Sequence, residues 1–288
     1  MPSSVGTLYL VATPIGNLGD MTERAVATLR QVAHVAAEDT RRTRGLLSHF
    51  AITGKELHTL DANASERAVA RVVGLLKDGQ DVAFATDAGT PGVSDPGRAL
   101  VQAAVAAGVP ITSLPGASAV TTAVALSGLV AGPFLFLGFL PRQGSGRKEL
   151  LRRIEHETFP VVLFEAPHRM QETLVDLSAH CPDRQAAVCR ELTKLHEEVR
   201  RGSLQELSQN VREWLGEVVI VLGETAALPV PGSSDDDLRK RARALVEGGA
   251  SVKAIASHLS EISGRARREV YALVLEVKGD PDPDPDSN

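Results

Sequence analysis

Three loops in the N-terminal half combine glycine and proline with small polar residues, and each follows a predicted strand. They are ATPIGNLGDMT (12–22), ATDAGTPGVSDPG (85–97) and LPGASAV (114–120). Glycine permits a close backbone approach to a ligand, and proline fixes a turn. Ser118 and Ala119 stand at the predicted start of a helix, where free backbone N–H groups face a bound molecule. Such loops predict a small-molecule site built largely from backbone groups.

The glycine spacing of these loops does not match the common nucleotide-phosphate motifs. A dinucleotide-binding GxGxxG is absent, since GNLG (16–19) keeps only one pair of glycines. A Walker loop is absent too, because the GK at 54–55 is followed by Glu56 and lacks the upstream glycine. On spacing alone, the loops are equally compatible with structural turns.

The composition is typical of a globular protein with an uneven charge distribution. Apolar residues make up 43% and charged residues 23% of the 288 residues. The net charge of −5 argues against a general nucleic-acid coat protein, but basic residues cluster in several segments. No apolar run approaches the ~18 residues of a membrane span, and the N-terminus has no secretory signature. We therefore expect a cytoplasmic protein without a membrane anchor.

The two cysteines, Cys181 and Cys189, are interpreted as ordinary thiols of a reducing compartment. A zinc site needs further ligands at close spacing in the sequence, and we find none. We therefore expect no metal.

Hydrophobic periodicity predicts an α/β protein with several parts. Strand-like and helix-like segments alternate in the first half, which is typical of a mainly parallel sheet. Strand directions are expected to mix in the second half, because residues 197–207 leave little room for a crossover. The predicted parts are an N-terminal α/β domain (1–130), a C-terminal α/β domain (131–226), a linker (227–237), a small helical domain (238–278) and a disordered acidic tail (279–288).

Seven motifs occur in a characteristic order. They are LYLVATPIGNLGDMTERA, AEDTRRT, ATDAGTPGVSDPG, LPGASAVTTA, FLGFLPR, LFEAPHRM and RELTKLHEE. Together they resemble the tetrapyrrole-methylase-like superfamily, the class III S-adenosylmethionine methyltransferases. Within it, the chain resembles the bacterial enzymes that methylate the ribose 2′-hydroxyl of cytidine 1402 in 16S ribosomal RNA. AEDTRRT and RELTKLHEE are the motifs most specific to that branch.

The resemblance implies a fold, a methyl donor and partners. It implies two α/β domains with S-adenosylmethionine bound in the cleft between them, and a small C-terminal helical region. It also implies 16S rRNA of the small ribosomal subunit as partner, and a homodimer. The residues matching the donor-binding motifs are Pro14, Asp87, Gly89, Thr90, Pro91, Val93, Ser118, Ala119 and Ala166. Because this donor has no phosphate, the loops need no Walker lysine.

Transfer to a ribose hydroxyl releases a proton, for which a general base is useful. The candidates are Glu38, Asp39, Asp87, Asp95, Glu165, His168 and Lys194. We favour Asp87 and Glu38 as the catalytic carboxylates. Some of these residues also fit purely structural roles: Asp95 is a suitable helix N-cap, and Glu165 with Arg169 is a suitable structural ion pair.

Basic residues near the predicted cleft are the candidates for RNA binding. They are Arg41, Arg42, Arg44, Arg142, Arg147 and Lys148. The segment PRQGSGRK (141–148) is predicted to be a flexible loop that orders on RNA. The alternative functions are a small-molecule (tetrapyrrole) methyltransferase of the same fold and a non-catalytic RNA-binding α/β protein.

Overall fold

The computed structural model describes residues 5–61, 64–94, 97–225, 235–247 and 250–279. The chain divides into two units, Met1–Glu224 and Thr225–Asn288. The predicted helix cap Asp95, most of the predicted linker and residues 280–288 of the predicted acidic tail lie outside the described residues. The domain boundaries drawn from the sequence remain predictions.

The first sheet of the larger unit is entirely parallel, as predicted, with strand order β3-β2-β4-β1-β5. Its strands are β1 (Leu8–Val11), β2 (His34–Ala37), β3 (Glu56–Thr59), β4 (Val82–Ala85) and β5 (Ile111–Leu114). Its helices are α1 (Glu23–Gln31), α2 (Thr40–His49), α3 (Glu66–Lys77), α4 (Arg98–Ala106) and α5 (Ala119–Ser127). Since β4, β1 and β5 are neighbours, the three glycine-containing loops leave the same edge of the sheet.

Helices cover both faces of this sheet, which explains why β4 is apolar along its whole length. Val82 and Phe84 face the core formed with α3 and α4, whereas Ala83 and Ala85 face the core formed with α1. All four side chains are buried. A central parallel strand therefore appears in the sequence as a continuous apolar run.

The second sheet is mixed, as predicted, with strand order β6-β7-β10-β8-β9. Its strands are β6 (Leu135–Phe139), β7 (Val161–Glu165), β8 (Gln185–Arg190), β9 (Glu198–Ser203) and β10 (Val218–Leu222). Strands β6 and β7 are parallel, and the other three pairings are antiparallel. Its helices are α6 (Ser145–His156), α7 (Met170–His180) and α8 (Leu204–Gln209).

Helix α5 connects the two sheets. Its Val120 and Ala123 belong to the same apolar core as Val219 and Val221 of β10. This packing holds the second sheet next to the loops of the first, so that both sheets contribute to whatever lies between them.

Two elements in the part of the chain that forms the first sheet and its helices were not predicted. Helix α2 begins directly after AED, and only Thr43 and Leu47 of it are fully buried. Strand β3 is a four-residue edge strand with polar residues. Neither element has the apolar periodicity on which a prediction depends.

The smaller unit is helical, as predicted. Its helices are α9 (Asp235–Glu247), α10 (Val252–Ser263) and α11 (Arg267–Gly279). They share a core that includes Leu238, Leu259 and Val274. Helix α9 begins within the predicted linker, since Asp235 to Asp237 form its first turn, where the helix dipole favours negative charge. Within the described ranges, no helix is long and apolar enough to cross a membrane.

Candidate functional site

The loops after β1 and β4 are joined to each other by backbone pairing. The N–H of Thr13 donates to the carbonyl of Gly89 at 2.9 Å, and the N–H of Gly89 donates to the carbonyl of Thr13 at 3.0 Å. The Thr13 hydroxyl also donates to the carbonyl of Thr86 at 3.0 Å. Gly89 has φ +86°, a conformation that favours glycine. The Thr90 hydroxyl extends the contact to the third loop by donating to the carbonyl of Ala117 at 3.2 Å.

A cavity of about 340 Å³ lies between these loops and the second sheet. Of the predicted donor-binding residues, those lining it are Gly89, Thr90, Val93, Ser118, Ala119 and Ala166. Among the described residues, the lining contains two acidic side chains, Glu165 and Glu217, and no basic one. The cavity is therefore suited to an uncharged or cationic ligand rather than to a phosphate.

The second sheet supplies one wall of the cavity, of which the sequence motifs predicted only Ala166. Phe139 and Phe164 line the cavity with their rings in an edge arrangement, 5.5 Å between centroids. Phe139 is 56% exposed although it ends a strand. The motif FLGFLPR contains Phe139, so the signal was present. The direction of the Phe139 side chain could not be predicted, because that direction depends on how the second sheet packs against the first.

A smaller cavity of about 190 Å³ adjoins the same loops. It is lined by Thr13, Pro14, Gly16, Leu18, Arg42, Thr43, Leu46, Thr86 and Asp87. Thr13 lines this cavity and its pairing partner Gly89 lines the larger one, so the paired backbone forms a wall between the two. Two residues predicted for the donor site, Pro14 and Asp87, thus belong to the smaller cavity. Pro91 is not among the residues lining either of the two.

The two favoured carboxylates lie side by side at the edge of the smaller cavity. Oε2 of Glu38 accepts a hydrogen bond from the backbone N–H of Asp87 at 3.4 Å. Oδ1 of Asp87 accepts one from the backbone N–H of Asp39 at 3.1 Å, and Oδ2 lies 3.4 Å from the Arg42 guanidinium. Burial raises the pKa of Glu38, and the neighbouring Asp87 charge raises it further. A carboxylate with a raised pKa is a better proton acceptor.

Asp39 has a structural task instead. Its side chain caps α2 by accepting from the backbone N–H of Arg41, and it also accepts two bonds from the Arg41 guanidinium. These interactions lower the pKa of Asp39 to about 2. So acidic a carboxylate is a poor general base.

Glu165 forms the structural ion pair considered in the sequence analysis. Its side chain is fully buried and lies 3.3 Å from the Arg169 guanidinium. It also accepts from the Thr173 hydroxyl at 2.7 Å and from the backbone N–H of Ala166 at 2.8 Å. The remaining candidate at this end, His168, is exposed in the short 3-10 turn Pro167–Arg169.

Lys194 holds the motif RELTKLHEE against the first loop. Its ammonium bonds Glu191 at 2.8 Å and Glu217 at 3.1 Å, and these partners raise the Lys194 pKa despite burial. A Cβ at Gly16 would lie 2.5 Å from Cγ of Lys194, so a side chain at this position would displace the lysine. A paired, protonated lysine is a positioning group rather than a base.

The predicted RNA-binding residues fall into two groups. Arg41, Arg42 and Arg44 lie exposed on α2, and Arg142 and Lys148 are exposed near the start of α6. Arg42 also lines the smaller cavity. Helix α2 therefore presents basic side chains beside the carboxylate pair.

Arg147 is a correction to that set, because it is buried. Its guanidinium donates to Asp176 at 2.8 Å, to the Thr173 hydroxyl at 3.1 Å and to the carbonyl of Pro141 at 3.1 Å. With its guanidinium held by these three partners and its side chain only 7% exposed, Arg147 is not available to contact a phosphate. The segment predicted as a flexible loop is thereby anchored, and α6 already begins at Ser145.

Known proteins with similar sequences and folds are methyltransferases. The family model of the tetrapyrrole (corrin/porphyrin) methylases matches residues 7–208. A ribosomal RNA small subunit methyltransferase I from Synechocystis sp. is 41% identical over 96% of this chain and 100% of its own length. One from Micromonospora olivasterospora is 43% identical over 93% of this chain and 86% of its own length.

A solved structure has the same fold. The uroporphyrin-III C-methyltransferase from Thermus thermophilus, in complex with S-adenosyl homocysteine, matches with a TM-score of 0.53 and 19% identity. The match covers 76% of this chain and 98% of that protein. At this identity the likeness concerns the fold.

Proposed function

Since the chain belongs to the tetrapyrrole (corrin/porphyrin) methylase family and is a methyltransferase of it, we propose that it methylates the ribose 2′-oxygen of cytidine 1402 in 16S rRNA, with S-adenosylmethionine as donor. The similarity of over 40% to proteins named ribosomal RNA small subunit methyltransferase I supports the rRNA substrate. The observation that carries the chemistry is the pair of cavities sharing the wall Thr13–Gly89, one without basic groups and one holding Asp87 and Arg42.

The larger cavity fits the donor. Its lining of small and apolar residues includes Ser118 and Ala119 at the start of α5, and Phe139 offers an exposed ring for a purine. Glu217, partly paired with Lys194, offers negative charge to a cationic ligand. When bound, the donor supplies an activated methyl group on a sulfonium. The binding of S-adenosyl homocysteine by a protein of the same fold supports this use of the cavity.

The smaller cavity fits the acceptor ribose. Thr13, Thr43 and Thr86 line it with hydroxyl-bearing side chains, Arg42 offers a cation for a neighbouring phosphate, and Asp87 offers a carboxylate. Transfer requires the ribose oxygen and the sulfonium methyl to be in contact, so we propose that they meet past the edge of the Thr13–Gly89 ladder, the backbone pairing that lies between the two cavities. Positioning of this kind accounts for much of the rate of a displacement reaction.

The carboxylate pair completes the reaction by taking up the proton. A C–O bond forms between the ribose oxygen and the methyl carbon, the S–C bond breaks, and its electron pair remains on sulfur. The hydroxyl proton passes to the Glu38–Asp87 pair and then to solvent. Asp87 lines the cavity itself, and Glu38 is held against the Asp87 backbone. We therefore assign proton acceptance to Asp87, with Glu38 positioning it.

Basic side chains on α2 and near α6 would hold the surrounding rRNA. The exposed residues Arg41, Arg42, Arg44, Arg142 and Lys148 form this proposed RNA-binding set. The enzyme is further proposed to work as a cytoplasmic homodimer, as the family resemblance implies. Exposed apolar side chains such as Leu195 and Val211 support self-association, which light scattering of the purified chain tests.

The proposal is tested with small ribosomal subunits from cells that lack the modification. Incubation with methyl-labelled donor and mapping of the labelled nucleotide should place the label on the 2′-oxygen of cytidine 1402. Label on another nucleotide would correct the site. Label on a tetrapyrrole but not on subunits would support the small-molecule alternative. Donor analogue binding without any transfer would support a non-catalytic RNA-binding protein.

A further inference from the structure

Three potential metal ligands lie together at the amino end of the first sheet. His34 begins β2 and Glu56 begins the edge strand β3, and these two residues are direct partners in the parallel register. His58 follows Glu56 by two positions, so both side chains are on one face of β3. The cavities adjoin the carboxyl ends of the neighbouring strands, so the cluster lies at the other end of the sheet.

The distances between the ligand atoms are those of a small coordination sphere. Nδ1 of His34 lies 3.2 Å from Nε2 of His58 and 3.5 Å from Oε2 of Glu56. Nε2 of His58 lies 3.8 Å from Oε1 of Glu56. In tetrahedral zinc sites, bonds of about 2.0–2.1 Å place neighbouring ligand atoms about 3.3 Å apart. The three side chains therefore match the spacing without a backbone shift.

We propose that His34, Glu56 and His58 form a binding site for a divalent transition metal, with zinc the best fit. Two imidazoles and one carboxylate are the donor set that zinc, nickel and cobalt share. The two imidazoles are nearly buried, with side-chain exposures of 13% for His34 and 5% for His58. Glu56 is 55% exposed, which leaves a path for the ion and a position for a water as fourth ligand.

In the part of the chain that the structure describes, the Arg71 guanidinium is the cation that contacts the cluster. Nη2 of Arg71 lies 3.3 Å from Oε1 of Glu56, but the Arg71 side chain is 68% exposed. An ion pair of that kind contributes little to stability, so a metal ion can displace it. The second carboxylate oxygen of Glu56 faces His34 in any case.

The site would act on the structure rather than on methyl transfer. Strand β3 is at the edge of the sheet and is held there by its pairing with β2. An ion bound by one residue of β2 and two of β3 cross-links the two strands. Because it binds only the folded chain, it raises the unfolding midpoint in proportion to the logarithm of its concentration.

The sequence did not predict this site because its ligands come from two strands. His34 and His58 are 24 positions apart, and a search for closely spaced ligands does not join them. The parallel register brings them together, and only the pairing of β2 with β3 specifies that register.

The test uses the full-length, tag-free chain after dialysis against a chelator. Titration with Co²⁺ should give the intense visible bands of four-coordinate cobalt, saturating at one ion per chain, and Zn²⁺ should displace them. The exposed substitution Glu56→Gln should weaken affinity at least ~10-fold, and so should His34→Asn. The matched control, His49→Gln on the surface of α2, should bind like the wild type.

A second measurement guards against misfolding of the variants. Circular dichroism of metal-free Glu56→Gln should equal that of the metal-free wild type, and Zn²⁺ should raise the unfolding midpoint of the wild type and of His49→Gln only. Absence of saturable Co²⁺ binding to the wild type would overturn the site. Equal affinity of all four proteins would overturn it too. Neither measurement depends on methyltransferase activity.

Discussion

The loops that contain Glu38 and Asp87 are joined by two hydrogen bonds, each from a backbone N–H to a carboxylate. The carboxylate of Glu38 accepts from the N–H of Asp87 at 3.4 Å, while the carboxylate of Asp87 accepts from the N–H of Asp39, the neighbour of Glu38, at 3.1 Å. These bonds connect the loops after two adjacent strands, β2 and β4. The two loops are thus held together by these bonds, and Asp87 lines the smaller cavity.

This pairing predicts that Asp87→Asn slows methyl transfer strongly. Loss of a general base costs about 10²–10⁴-fold, so single-turnover rates on small subunits should fall within that range while donor affinity stays unchanged. Glu38→Gln should slow transfer less, because the Asp87 carboxylate remains. The control is Glu172→Gln, an exposed acid in the first turn of α7. Near-normal rates in both Asp87→Asn and Glu38→Gln would refute the assignment.

The donor cavity predicts a separate effect on binding. Phe139→Ala removes a ring that lines it, so the affinity for S-adenosylhomocysteine should fall by ~10-fold or more, as measured by calorimetry. Phe159→Ala is the matched control, because Phe159 is similarly exposed and does not line the cavity. Equal affinities of the two variants would argue against donor binding at this site.

The loop after β4 predicts a stability effect at Gly97. This residue has φ +121°, and a Cβ there would lie 2.4 Å from Cε1 of the buried Phe84. Gly97→Ala should therefore lower the free energy of unfolding by roughly 2 kcal/mol or more in urea. Gly74→Ala, in α3 with open space around it, should instead raise it by about 0.5–1 kcal/mol. A neutral Gly97→Ala would show that the loop can rearrange.

The ion pairs of Glu198 predict how the free energy of unfolding depends on pH. Bonds from Arg212, Arg200 and Arg190 lower the pKa of Glu198 to about 2, from an ordinary value of 4.5. The stabilisation is fully present above pH 4.5 and is lost as the pH falls toward 2. Glu198→Gln should therefore cost about 1–2 kcal/mol at pH 7, with a difference from wild type that shrinks in acid. A difference independent of pH would contradict the ion-pair explanation.

The exposed and the buried basic residues near α6 predict different phenotypes. Lys148→Gln and Arg142→Gln should weaken RNA binding and flatten its salt dependence by about one unit of slope each. Arg147→Gln should lower the unfolding free energy, because Asp176 loses its cationic partner and the buried Thr173 hydroxyl keeps only its bond to Glu165. Its salt slope should stay that of the wild type. A flattened slope in Arg147→Gln at full stability would return Arg147 to the RNA-binding set.

Local patterns in the sequence were sufficient for the parallel first sheet, the mixed second sheet and the glycine-containing loops. Each of these depends on neighbours along the chain: a continuous apolar run such as Val82 to Ala85, or a turn that needs Gly89. The motif order was likewise sufficient to identify the family.

Only the tertiary structure decided which residues meet. The order β4-β1-β5 brings the loops to one edge, and the pairing of Thr13 with Gly89 divides that edge into two cavities. Packing of the second sheet adds Phe139 to one cavity and buries Arg147 away from both. The physical reason is the same in each case. Strand pairing and side-chain packing join residues that are distant in the chain, and local sequence patterns carry no information about those contacts.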